Sequence, residues 1–185
     1  MDEKDRLIIA LLQENGRASY SDLGKNIGMT AMGVKKRVEK LLNKGEIKVK
    51  ALINAEKLYL AILVMEVEDS NALNRIIDKF RECPRVLKFF VTTGSYNLFA
   101  IIFSEDFESL ESITLESCSL RAQSGIKRYE VYPVQEIHYE PFLDIKVVAK
   151  KLDKPPCNAL CMECRRYKSE RCLGCPATKM YRGKL

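Results

Sequence analysis

The chain has no tryptophan and a single histidine, His138, among 185 residues. With that histidine lacking an evident partner, no Ser/His/Asp arrangement stands out, nor does a phosphate loop or a paired-acid motif, so the sequence does not read as an enzyme. A structural role is expected for His138. No apolar run approaches the roughly 18 residues that suggest a spanning helix. The longest is Leu58–Met65. The start, Met1-Asp2-Glu3-Lys4-Asp5, is acidic, and no small-residue cleavage site follows the next apolar stretch, which argues against a secretory signal. The expectation is a cytoplasmic protein with no membrane partner. In a reducing compartment, seven cysteines point to metal or redox chemistry rather than a disulfide scaffold. A hydrophobic fraction of 46% against 30% charged supplies enough apolar material for a packed core and excludes a largely disordered chain.

Charge divides what is there. The net charge of +6 comes from a basic head (residues 1–54), an acidic middle (55–140) and a basic end (141–185). Such alternation points to units with different partners, and basic units attract polyanions such as nucleic acid.

In the head, Ile8, Leu11 and Leu12 share one helical stripe that Gly16 ends. Ser19 stands three residues before Asp22, a capping-box pattern opening a second helix with Tyr20, Leu23 and Ile27 on one face. Gly28 breaks that helix and allows a sharp turn; Thr30 is placed to cap a third, running to about Lys44. Its buried stripe is Val34, Val38, Leu41 and Leu42, and Met32, Lys36, Lys40 and Asn43 face the other way. This is a helix-turn-helix pattern, with Glu46–Ile53 expected to form a strand pair or wing. The N-terminal residues of the third helix, Thr30, Ala31, Met32 and Gly33, are the candidates for reading bases in the major groove of double-stranded DNA. Lys35, Lys36, Arg37 and Lys40 are the candidate phosphate contacts. A three-helix bundle with a solvated charged face is the alternative; the turn placement, caps and cations together favour DNA.

The runs Leu11-Leu12-Gln13-Glu14-Asn15-Gly16-Arg17, Asp22-Leu23-Gly24, Ile27-Gly28-Met29-Thr30, Val34-Lys35-Lys36-Arg37-Val38 and Leu42-Asn43-Lys44-Gly45-Glu46-Ile47 resemble, in order, the opening of leucine-responsive (Lrp/AsnC) transcription regulators. The resemblance spans the whole head.

Residues 55–148 read as a βαββαβ unit. Leu60–Glu68 is strand-like, Leu73, Ile76, Ile77 and Phe80 form a helical stripe, and Arg85–Thr93 and Tyr96–Phe103 flank Gly94-Ser95 as a hairpin. Phe107, Leu110, Ile113 and Thr114 give a second helix, and Ile126–Tyr139 a last strand in which Pro133 requires an edge, bulge or break. The order is that of a ferredoxin-like fold, whose helices cover one sheet face and leave the other for a second subunit. It resembles the ligand-sensing domain of the same regulators. That resemblance implies a homodimer, extending to a tetramer or octamer, and a small-molecule effector pocket, often for amino acids, built with the loop Gly94, Ser95, Tyr96 and Asn97. The family commonly carries Asp where this chain has Asn97, which removes a carboxylate able to pair with an amino group. Cys83 and Cys118 fall outside any ligand spacing and are expected to pack in the core.

Beyond residue 148 the resemblance ends. Residues 149–156, rich in lysine and closed by Pro155-Pro156, read as a stiff linker. Residues 157–185 hold Cys157, Cys161, Cys164, Cys172 and Cys175, spaced C-x3-C-x2-C-x7-C-x2-C around a basic loop. Two C-x2-C pairs can converge on one ion, and so small a segment needs a metal to fold. Zinc is the default ion. A [4Fe–4S] cluster is the alternative, favoured by the fifth thiol and by Cys175-Pro176. The sequence therefore predicts an α+β protein: a winged helix-turn-helix, a ferredoxin-like middle domain and a cysteine-rich metal-binding tail. Its expected function is sequence-specific transcription regulation, with a metal- or redox-responsive tail as the competing primary switch.

Overall fold

The computed structural model describes all residues, 1–185, and separates into two compact units, 1–51 and 52–185. No helix is long and apolar enough to cross a membrane.

The first unit holds three helices, α1 (Glu3–Glu14), α2 (Tyr20–Ile27) and α3 (Ala31–Asn43). Ile8, Leu23, Val34 and Val38 form its buried centre, one or two from each helix, with Ile47 packed at its margin. Asp2 and Asp5 make a capping box on α1, each carboxylate accepting the other's backbone N–H, at 2.9 and 3.0 Å.

The expected wing is absent. Glu46–Leu52 forms no strand, and the run contains no Gly, Pro, Asn or Asp on which a hairpin could turn. Its continuation, β1 (Ile53–Asn54), instead pairs antiparallel with β6 (Phe142–Leu143) in the second unit.

The second unit is built on an antiparallel sheet of β2 (Tyr59–Val67), β3 (Val86–Val91), β4 (Leu98–Ser104) and β5 (Ile126–Pro133), in the order β3-β4-β2-β5. This is the ferredoxin-like arrangement. β5 is an edge strand and stops at Pro133, short of the expected Tyr139. Two helices, α4 (Ser70–Phe80) and α5 (Phe107–Leu115), follow β2 and β4, each capped by an aspartate, Asp69 and Asp106. Strand alternation sends Ala61, Leu63, Met65, Leu98, Ala100 and Ile102 to one face, where they bury against Ala72, Ile76, Phe80 and Leu110. On the opposite face Leu60 and Phe103 are covered by Ala55 and Ile145. Ile62, Phe90 and Tyr132 stay 39–52% exposed.

The tail belongs to this second unit. The stretch read as a linker is woven into it: Leu152 donates to the Ala177 carbonyl at 2.7 Å and accepts from Lys179 N at 3.0 Å, and Pro155 is buried. A 3-10 turn (Cys161–Glu163) and the one-turn helix α6 (Arg165–Lys168) are its regular elements. Leu173 N donates to Ser109 Oγ at 2.8 Å and Arg166 Nε to Ser112 Oγ at 2.7 Å, so α5 is the surface on which the tail is seated. Arg166 is also ion-paired with Glu111 of α5.

Candidate functional site

Thr30 caps α3 as expected, its Oγ1 accepting from Gly33 N at 3.1 Å. Gly28 ends α2 at φ +65°, the left-handed conformation that lets the chain reverse into α3. Lys4 Nζ closes the same end by donating to the Ile27 carbonyl at 3.1 Å. This frame exposes Ala31, Met32, Lys35, Lys36 and Lys40 along one side of α3, with Gly33 partly covered. Met32 is 61% exposed and stands on the same side of the helix as these cations. Lys35 is loosely paired with Glu39 at 3.8 Å. Lys36 and Lys40 enter no ion pair and present free ammonium groups.

Arg37 is differently engaged. Its Nη1 lies 2.7 Å from both Asp2 Oδ2 and Asp5 Oδ1. Both carboxyls are held below their usual range, first by the reciprocal backbone N–H of the capping box and then by Arg37. Arg37 therefore fastens α3 to the start of α1. The acidic start offered the only sequence signal for this, as acids in a first helical turn.

The loop Gly94–Asn97 joins β3 to β4. Tyr96 donates its hydroxyl proton to Glu130 of β5. Asn97 turns inward: its Oδ1 accepts from Val67 N at 2.8 Å and its Nδ2 donates to the Val67 carbonyl at 2.9 Å. The side chain completes the end of β2 as another strand would. His138 is exposed on the segment after β5, with Nε2 3.5 Å from Glu136 Oε2.

The cysteines are all unpaired. No three His, Cys, Asp or Glu side chains gather as a ready-made single-ion group. The five tail cysteines do line one cavity, and Cys83 and Cys118 line it too. Sequence spacing could not show this, because the seven thiols come from three stretches of chain. Burial pushes the Cys83 thiol up to about 11 and the Cys175 thiol to about 12.

The profile of the AsnC-type helix-turn-helix domain matches residues 1–42, and that of the Lrp/AsnC ligand binding domain matches residues 60–142. An uncharacterized HTH-type transcriptional regulator of Pyrococcus horikoshii is 32% identical over 134 residues, covering 70% of this chain and 83% of the relative. The chain belongs to the Lrp/AsnC family. Lrp/AsnC proteins are DNA-binding transcription regulators, not enzymes, and this Lrp/AsnC chain is also 27% identical to the regulatory protein AsnC of Haemophilus influenzae, over 61% of its own length and 78% of the relative's. The fold agrees with that of Escherichia coli AsnC at a TM-score of 0.67 and 19% identity, covering 76% of this chain and 95% of that one. It agrees equally, at 0.67 and 23% identity over 76% and 94%, with a Neisseria meningitidis transcriptional regulator solved in complex with L-Met. Neither profile of this Lrp/AsnC chain extends past residue 142, so the cysteine-rich tail lies outside both.

Proposed function

We propose that this Lrp/AsnC regulator binds specific DNA as a dimer or higher oligomer, laying α3 in the major groove. The observation that carries this is the exposed Met32 beside the unpaired Lys36 and Lys40 on a capped, rigid helix. An apolar side chain can meet a thymine methyl, and the two ammonium groups meet flanking phosphates. Thr30, Ala31 and Gly33 line the same end of the helix. The half-exposed sheet residues Ile62, Phe90 and Tyr132 support self-association through the sheet face away from α4 and α5. Two recognition helices then address half-sites about 34–36 Å apart, or a multiple of that, along one side of the duplex.

A small-molecule effector at the Gly94–Asn97 loop is the natural modulator, supported by the ligand-binding domain profile and by the relative solved with L-Met. In this chain Gly94, Ser95 and Tyr96 are the available contacts, since both polar atoms of the Asn97 amide are committed to Val67.

Selection of bound sequences from a random duplex library, with the full-length chain, tests the reading. A recovered pseudo-palindrome with half-sites at that spacing is expected. Recovery of no motif, with binding that simply tracks salt, would overturn sequence-specific recognition.

A further inference from the structure

We propose that the cysteine-lined cavity of the second unit is a binding site for an iron–sulfur cluster of the [4Fe–4S] class, ligated by tail thiolates and walled on its inner side by Cys83 and Cys118. The site is independent of the DNA reading. Four observations carry it.

The first is convergence. All seven cysteines of the chain line one cavity, from the end of α4, the loop after α5 and the tail. Cys157 is part of the main core and 7% exposed. Thiols scattered by chance as small hydrophobes would not collect on a single void.

The second is size. The cavity measures about 60 Å³, room for about four to six waters at roughly 10–15 Å³ each. A lone zinc ion leaves no such space: with Zn–S near 2.3 Å, tetrahedral sulfurs sit only about 3.8 Å from one another. The thiols are not gathered in that way. A cluster spreads its ligands over separate irons and occupies the volume between them.

The third is the nature of the walls. Leu63, Phe80, Ile102 and Leu120 line its inner side with hydrocarbon, and Arg85, Ser112 and Ser117 are polar side chains beside the thiols. Soft thiolates in a largely apolar lining select soft metal centres over hard, hydrated cations.

The fourth is an unused donor. Arg85 lines the cavity and is 4% exposed. Glu105 and the Gly174 carbonyl take its terminal nitrogens, but its buried Nε has no acceptor. A cluster with four thiolate ligands is anionic and sulfur-rich, and supplies the acceptor this N–H lacks. Gly174 N already donates to Cys172 Sγ at 3.4 Å, a bond that strengthens when the sulfur is a thiolate. On ligation each thiol releases its proton to solvent as its sulfur bonds iron; iron and sulfide arrive together as the cluster.

The full-length chain, expressed and purified without air, is assayed for iron, zinc, copper and acid-labile sulfide and scanned in the visible. About four irons and four sulfides per chain with broad visible absorbance are expected. The pair Cys161→Ser and Cys172→Ser should remove both, while far-UV circular dichroism shows that the helices and sheet persist. Cys118→Leu fills the cavity without touching a tail thiol and should lower iron and sulfide several-fold; should it fail to fold, Cys118→Ala is expected to retain the cluster with shifted visible bands. About one zinc per chain without sulfide, a copper load, or iron that survives the paired serine substitution would each overturn the proposal.

Discussion

Arg85, at the threshold of β3, donates from Nη2 to the carbonyl oxygen of Gly174 at 3.1 Å, across 89 residues of sequence. The bond joins the ferredoxin-like sheet to the tail at the edge of the cysteine-lined cavity. Both ends are prepared for it. Arg85 is held by Glu105 and Ser104 and lies 5.8 Å from the rings of Phe103 and Tyr181. Gly174 adopts φ +84°, and a Cβ there would meet the Tyr167 ring at 3.0 Å, so only glycine presents its carbonyl in this way.

Arg85→Met should therefore cost about 3–5 kcal/mol, because it leaves the mostly buried Glu105 carboxylate without its cation. Adding Glu105→Gln should recover part of that loss. Urea unfolding of the two single variants and the double variant measures the coupling; additive losses would mean the pair does not act as a unit.

At the DNA surface the two kinds of contact separate. Lys36→Ala should weaken binding to every sequence and lower the slope of log affinity against log salt by about one unit. Met32→Ala should leave the slope alone and change which base is preferred beside the helix start. Fluorescence anisotropy across a salt series, with matched and mismatched duplexes, distinguishes these outcomes.

Acid should loosen the helical head through Asp2, Asp5 and Asp22. Backbone N–H groups and Arg37 hold the first two below their ordinary 3.8, and the Ser19 hydroxyl does the same for Asp22. A carboxylate with a lowered folded pKa stabilises fully above its unfolded value and loses that contribution as pH falls through the folded one. Hydrogen exchange at head amides in the full-length chain should thus be unaffected by this linkage between about pH 7 and 5 once intrinsic rates are removed, and quicken below about pH 4. Arg37→Gln should reduce protection at neutral pH and make the acid loss shallower.

Asn97→Ala removes partners from both polar groups of Val67 and should cost about 1–3 kcal/mol. Asn97→Asp, which installs the side chain common in the family, keeps the acceptor for Val67 N but turns a second oxygen toward the Val67 carbonyl. Only the protonated acid can donate there, so its folded pKa is raised. The variant should be most stable below about pH 4 and weaken as pH rises through the raised value, the reverse of the head. Thermal melts at pH 4 and pH 7 reveal the sign.

The helical head was readable because its information is local. Ser19, Gly28 and Thr30 act on neighbours three or four residues away, and the Val34–Val38 stripe follows from helical spacing alone. Strand alternation and the Gly94-Ser95 turn likewise announced the βαββαβ order. The wing was misread because Ile53 and Asn54 are strand-competent, yet their partners, Leu143 and Phe142, lie about ninety residues on.

Sequence by itself determined the element order, the caps, the exposed cations of α3 and the presence of a thiol-rich tail, since each depends on spacing along the chain. Tertiary structure alone decided that Arg37 is tied to Asp2 and Asp5, that Asn97 serves Val67 and that Cys83 and Cys118 share a cavity with the tail. Those outcomes depend on which distant groups are buried together. A buried guanidinium, amide or thiol takes the partner that folding brings within reach, and no periodicity in the chain records that choice.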